Sequence, residues 1–219
     1  NRFAASLSSL CSTMQASPNL PPRLILASSS SYRRELLARL RLPFAVVVPD
    51  IDEAPLAGES PATTALRLAE AKARAVAGSS AAAASRTLVI GSDQVATYDG
   101  LQIGKPGSHA KALAQLQAMR GREVLFHSAL CLFDSGSDKA QTVDVVTHVR
   151  FRNLPDADLD AYLLAETPYD VAGSAKSEGL GIALLEAIDS DDPTALIGLP
   201  LIALTRMLLA AGYSLFGAR

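Results

Sequence analysis

The sequence predicts a mixed α/β fold in which strand–helix units lie beside long antiparallel strands. Three observations point there. Short apolar runs such as "LILA" (24–27) and "TLVIGSD" (87–93) end in turn residues. Helix starts carry capping chemistry, as at Ser60-Pro61. Two long strand-like stretches, "EVLFHSALCLFDSG" and "AQTVDVVTHVRFRNL", are joined by a turn around 135–138.

The elements follow in order. After the strand at 24–27, a helix is expected over 33–40, with Leu36, Leu37 and Leu40 as its apolar positions. "FAVVVP" (44–49) reads as a strand, and Ser60-Pro61 opens a helix running to about Ala77. A buried strand at 87–93 is expected to end at Asp93, where chemistry is often sited in α/β proteins, although an Asp there is also a common turn former. Asp99-Gly100 marks a hairpin turn. Helices are expected over 110–119 with Gly121 as the stop, over 155–164, and over 197–211.

Composition bounds the function. The 219 residues are 49% hydrophobic and 19% charged, with a net charge of −2. That balance gives no global field for gathering nucleic acid. The longest apolar stretch, Ala195 to Leu204, is broken by Pro200 and is too short to span a bilayer. Cys11 and Cys131 offer neither zinc spacing nor a disulfide framework, so a reducing, cytoplasmic setting is expected. Residues 1–22 are rich in Ser and Ala and contain no acid, the first being Glu35. They read as a flexible extension, or alternatively as the remnant of an organelle-targeting segment. Residues 23–219 read as one domain, with a surface connector at 78–85.

The stretch "SSSSYRR" (28–34) raises the functional question. A helix N-terminus leaves backbone N–H groups unpaired and carries partial positive charge. Ser28 to Ser31 with Arg33 and Arg34 would make an anion site suited to phosphate. Equally, one serine could simply cap the helix while the arginines are solvated. Lys105 in "IGKP", and Lys176 and Glu178 in "AGSAKSEGLG", add cations and a carboxylate at the ends of elements. Such a set suits polyphosphate chemistry with a divalent cation. His109, His127 and His148 share no spacing and read as ordinary residues. Tyr162 reads as core.

The stretches "LILASSSSYRRELL", "VPDIDEAP", "RLAEAKA", "VIGSDQV", "GKP", "AGSAKSEGLGI" and "GLPL" occur in this order between about residues 23 and 213. On them the chain resembles the Maf-like nucleoside triphosphate pyrophosphatases, the septum formation protein family. The resemblance implies an extended twisted sheet with helices, in two lobes flanking a nucleotide cleft. It also implies cleavage of a triphosphate to monophosphate and pyrophosphate with Mg²⁺ or Mn²⁺, and a homodimer. No membrane partner and no dedicated nucleic-acid site are expected. Position by position, Asp93 is the expected general base and Lys105 its catalytic partner. Ser28, Arg33, Lys72 and Lys176 are expected to hold phosphate, and Glu53 and Asp93 the metal. Without the resemblance, Lys72 reads equally well as an exposed lysine on an amphipathic helix.

Tyr32, Gln94 and Glu178 match the family's branch acting on 7-methyl-GTP, which has an aromatic, a glutamine and a glutamate at these places. The branch acting on dTTP and UTP has arginine, threonine and glutamine there. Two departures are Ser31, where the motif has proline, and Tyr32, where that branch typically has tryptophan. A cationic methylated base suits an aromatic face and a carboxylate. The alternatives are a dTTP/UTP pyrophosphatase of the same family, and a nucleotide-binding regulator of cell division without significant turnover.

Overall fold

The structure, a computed structural model, describes residues 22–79 and 86–216. The extension expected over 1–22 lies outside the described residues except for Pro22, as does most of the connector expected at 78–85.

Strand β1 (Arg23–Ala27) leads through the serine turn to helix α1 (Ser31–Ala38), and β2 (Phe44–Val47) returns parallel to β1. Helix α2 (Pro61–Ala77) starts where Ser60-Pro61 places it: the Ser60 hydroxyl accepts from Thr63 N–H at 3.2 Å. Strand β3 (Thr87–Tyr98) turns at Asp99 and Gly100, both at positive φ, into β4 (Leu101–Ile103). Helix α3 (His109–Met119) precedes the long hairpin β5 (Glu123–Asp134) and β6 (Lys139–Phe151). Helix α4 (Asp156–Glu166), strand β7 (Leu185–Asp189) and helix α5 (Leu201–Ala210) complete the chain.

Two expectations are corrected and one further element is found. The strand beginning at Thr87 does not end at Asp93 but runs on to Tyr98, because β5 pairs with it from Leu88 through Thr97. Asp93 therefore lies within a strand, opposite Ala129. The last helix starts at Leu201 rather than Ile197: Pro200 has extended backbone, and residues before a proline avoid helical conformation. The short edge strand β7, whose sequence "LEAID" mixes acids with apolar residues, has no counterpart in the sequence reading.

The sheet order is β2-β1-β3-β5-β6-β7, with β4 paired to β3. Since β5 occupies one side of β3, β1 and β4 share the other. β1 covers Thr87 to Gly91 and β4 covers Ala96 to Tyr98. The edge from Ser92 to Val95 is left open between them, and that opening divides the molecule into two lobes. In the first, α1 and α5 bury Leu24, Leu26, Leu88 and Ile90 on one face, while α2 covers Ile25, Val89 and Cys131 on the other. In the second, α3 and α4, the latter contributing Tyr162, pack over Ala96, Val124 and Phe126. Tyr162 is core, as expected, and burial pushes its hydroxyl up to about 12. The expected two-lobed α/β architecture is borne out. Among the described residues, no helix is long and apolar enough to cross a membrane.

The contact between α2 and β3 is unusually close. Small residues Ala65, Ala69 and Ala73 line the buried face of α2 at helical spacing. Opposite them β3 presents Gly91, where an added Cβ would lie 2.1 Å from the Ala69 carbonyl oxygen.

Candidate active site

The open edge of β3 forms the floor of a cleft of about 480 Å³, within the range of small-ligand sites. Side chains alternate along the strand. Asp93 and Val95 face α2, while Ser92 and Gln94 face the loop before α5. Thus one floor presents an acid on one side and an amide on the other.

The acid meets Lys72. This lysine lies on the buried stripe of α2, four residues beyond Leu68 and four before Val76, and is 5% exposed. The exposed-lysine reading is thereby excluded. Its ammonium donates to Asp93 Oδ1 at 2.7 Å and reaches Glu53 Oε1 at 3.1 Å. Burial of such a charge is tolerable only with partners of this kind. Glu53 and Asp93 therefore share one cation and lie close together. Hard oxygen donors suit Mg²⁺ or Mn²⁺, which bind one or two carboxylates and fill their remaining positions with water and phosphate. Among the described residues no group of three or more His, Cys, Asp or Glu side chains is arranged to hold a metal alone. Glu53 and Asp93 would supply two such ligands, and the remaining positions would have to be filled from outside the protein.

The serine turn follows β1 directly, so it sits where β1 stops covering β3. Ser30 caps α1 by accepting from Arg33 N–H at 3.4 Å, and the Ser28 hydroxyl accepts from Ser30 N–H at 3.1 Å. A serine does cap the helix, as one reading of the turn expected, and residues 28–33 all line the cleft. Arg34 is exposed and outside that lining. Arg33 is anchored: its Nε donates to the Gly198 carbonyl at 2.9 Å. Burial pulls its guanidinium down, against the charges of Asp93 and Glu53. A guanidinium starting from so high a value still keeps its proton.

The Gly198 carbonyl also accepts from the Ser92 hydroxyl at 2.9 Å. The same loop is held by Gln94, whose Nε2 donates to Ala195 and Leu196 carbonyls at 3.1 and 3.0 Å and to Ser128 Oγ at 2.9 Å. All of these bonds are made by Nε2 of a side chain that lines the cleft, so Oε1 is the acceptor it still has to offer. The "GLPL" motif (198–201) thus supplies a backbone brace for Arg33 and Ser92, while Gln94 is held by the residues just before it.

Lys105 lines the opposite wall, exposed, between Gly104 and Pro106. Tyr32 lines the cleft and its hydroxyl donates to Asp170 Oδ2 at 3.4 Å. Lys176 touches this corner from outside the lining: its ammonium is 5.8 Å from the Tyr32 ring centre and 3.9 Å from Asp170. Burial pulls Lys176 down, but Tyr32, Asp170 and Glu166 more than offset it and raise it above its ordinary value. Glu178 is exposed and does not line the cleft; its nearest polar contact is the Ser177 hydroxyl at 3.5 Å.

The structure thus gathers Ser28, Tyr32, Arg33, Glu53, Lys72, Asp93, Gln94 and Lys105 around one cleft. It leaves Lys176 at the rim and Glu178 apart. Sequence reasoning missed Asp170 and the role of the Gly198 carbonyl. An acid just after Thr167-Pro168 was the available signal for the first. Nothing in the sequence marks the second, which is a backbone atom.

A buried acid–lysine pair beside a capped helix start, with Ser28, Arg33 and Lys105 on the same cleft, is a set able to bind phosphate on an α/β scaffold. Comparison with known proteins narrows that reading. The family model described as "Maf-like protein" matches residues 23–211, and the chain belongs to that family. It is 79% identical over 206 residues to the 7-methyl-GTP pyrophosphatase of Paraburkholderia xenovorans (strain LB400), covering 94% of this chain and 100% of that one. It is 77% identical to the protein of that name in Burkholderia pseudomallei (strain 1710b), covering 90% and 92%. For Cupriavidus metallidurans the identity is 70%, covering 90% and 97%. A solved nucleoside-triphosphatase (dITP/XTP pyrophosphatase) from Mycobacterium abscessus aligns over 87% of this chain and 97% of its own. Its identity is 17% and its TM-score 0.38, too loose a match to argue from.

Proposed function

We propose that the protein is a nucleoside triphosphate pyrophosphatase that hydrolyses 7-methyl-GTP to the monophosphate and pyrophosphate. The observation that carries this reading is the meeting of Tyr32 and Gln94 with Asp93, Lys72, Arg33 and Lys105 in a single cleft. The names of the 70–79% identical relatives support it.

In this reading the triphosphate lies between the serine turn and the Lys105 wall. Ser28, Arg33, Lys72 and Lys105 offset its charge, and their stabilisation grows as pyrophosphate leaves. Asp93 accepts from Lys72 on one oxygen, and its other oxygen orients the attacking water at the α-phosphate and takes its proton. A divalent cation held by Glu53 and Asp93 would supply further charge neutralisation on the phosphates. Tyr32 offers a π face to the base, and Gln94 Oε1 accepts from it. The homodimer and a link to septum formation rest on the family resemblance alone, and the cytoplasmic setting on cysteine usage.

The test is pyrophosphate release from a panel of canonical and methylated triphosphates with Mg²⁺ or Mn²⁺. The wild type should favour 7-methyl-GTP over GTP by roughly 2- to 30-fold, the range of a cation–π contact of about 0.5–2 kcal/mol. Faster cleavage of dTTP or UTP than of 7-methyl-GTP would overturn the substrate assignment. Tyr32→Ala should shrink the preference for the methylated base. Glu178→Gln tests whether a charge outside the cleft lining is felt there; an unchanged ratio removes Glu178 from base recognition.

Lys105→Ala should act differently. It is expected to lower kcat/KM on every triphosphate by about tenfold or more without reordering the bases, because phosphate is common to all. A reordered ranking would place Lys105 at the base instead.

A further inference from the structure

Two walls of the cleft come from distant parts of the chain, one carrying Lys105 and the other Asp170. Three polar links join them. Gly107 N–H donates to the Tyr169 carbonyl at 3.0 Å. Gln115 of α3 donates to the Gly104 carbonyl at 3.0 Å while accepting from Ser174 Oγ at 2.6 Å. The third link is His109, the first residue of α3. Its Nε2 lies 2.7 Å from Asp160 Oδ1 on α4, and its Nδ1 lies 3.0 Å from the Tyr169 hydroxyl.

A carboxylate only accepts, so His109 Nε2 carries the proton shared with Asp160. In the neutral ring that leaves Nδ1 to accept from the Tyr169 O–H at 3.0 Å, a single proton for which the Leu163 carbonyl at 3.3 Å is a second acceptor. The ring is thereby fixed at both nitrogens, four residues from Lys105 in sequence. Tyr169 in turn immediately precedes Asp170, which accepts from the Tyr32 hydroxyl.

We propose that His109 is a positioning residue: clamped by Asp160, it holds Tyr169 so that the Lys105 wall and the Asp170 wall keep a fixed separation across the cleft. The proposal rests on reading the cleft as the triphosphate site. His109 does not line the cleft, so it acts through its neighbours. Catalytic geometry is sensitive to wall displacement, and a shift of about 1 Å can cost up to about 10²-fold.

Tyr169→Phe removes the hydroxyl while keeping the ring, and His109→Ala removes the other half of the contact. Each should raise KM for the nucleotide by about 5- to 20-fold with a smaller change in kcat. The double variant should cost clearly less than the sum of the two single ones, since both break the same link; beyond it His109→Ala loses Asp160 and Tyr169→Phe loses the Leu163 carbonyl. In a Lys105→Ala background, His109→Ala should cost much less than in the wild type. Additive losses in these cycles, or an unchanged KM in folded His109→Ala, would overturn the proposal.

Amide hydrogen exchange gives a readout independent of turnover. His109→Ala and Tyr169→Phe should each speed exchange in residues 104–108 and in 167–172 together. A rise confined to one segment, or none, would overturn the clamp even if the wild type hydrolysed no triphosphate. Wild-type inactivity alongside coupled exchange would instead count against the pyrophosphatase reading and leave the clamp supported.

Discussion

Asp93→Asn is expected to reduce turnover by about 10²-fold or more, the scale of losing a general base. The ion pair with Lys72 adds a second consequence. The two side chains are 10% and 7% exposed, and their separation is 2.7 Å. Removing one charge from a buried pair typically costs about 3–5 kcal/mol, because the partner stays buried and uncompensated. The variant should therefore melt at lower temperature while folding normally at 25 °C. Glu53, exposed but 3.1 Å from Lys72, limits the loss by keeping one counter-charge in place. Adding Lys72→Met to Asp93→Asn should recover much of the lost stability and none of the turnover. Wild-type-like turnover in folded Asp93→Asn would remove Asp93 from the chemistry.

Gly91→Ala is expected to destabilise the whole protein by about 3 kcal/mol or more, at the upper end for overpacking. The new Cβ would meet the Ala69 carbonyl oxygen at 2.1 Å and the Ala73 nitrogen at 2.9 Å, both backbone atoms that no rotamer change can move. Trimming Ala69 or Ala73 to glycine should therefore give little relief. The helix would have to lift from the sheet, carrying Lys72 away from Asp93, so activity should fall together with stability. For a chain of this size the loss corresponds to roughly 6–12 °C in Tm. An unchanged Tm would mean that α2 can shift along β3 without cost.

Much of the fold was legible where local chemistry decides it. Ser60-Pro61 placed the start of α2, and Asp99-Gly100 placed the hairpin into β4, because caps and positive-φ turns are set by a few adjacent residues. The extent of β3 was not legible in this way. An aspartate in the middle of an apolar run reads as an ending, and only the pairing with β5 and the ammonium of Lys72 make it admissible inside a strand. Strand β7 was hidden for a related reason, since an exposed edge strand with acidic positions has no clean alternation.

For the site, hydroxyls and cations next to element ends were readable. The assignment of Lys72 needed the tertiary contact that distinguishes a buried lysine from a solvated one. Ser92 and the Gly198 carbonyl were invisible, because a brace made from backbone oxygen leaves no residue type to notice.

The opening at Ser92 to Val95 has a mechanical meaning. The lobes on either side are not separate bodies joined by a linker, because β3 and β5 pass without interruption from one core into the other. Spreading the lobes would require twisting two hydrogen-bonded strands along their length, and every degree of that motion is resisted by the ladder between them. The molecule behaves as a torsion bar rather than a hinge. Opening the cleft by rotating the lobes is resisted by the sheet itself, so its width is adjusted, if at all, by the wall turns around Lys105 and Asp170.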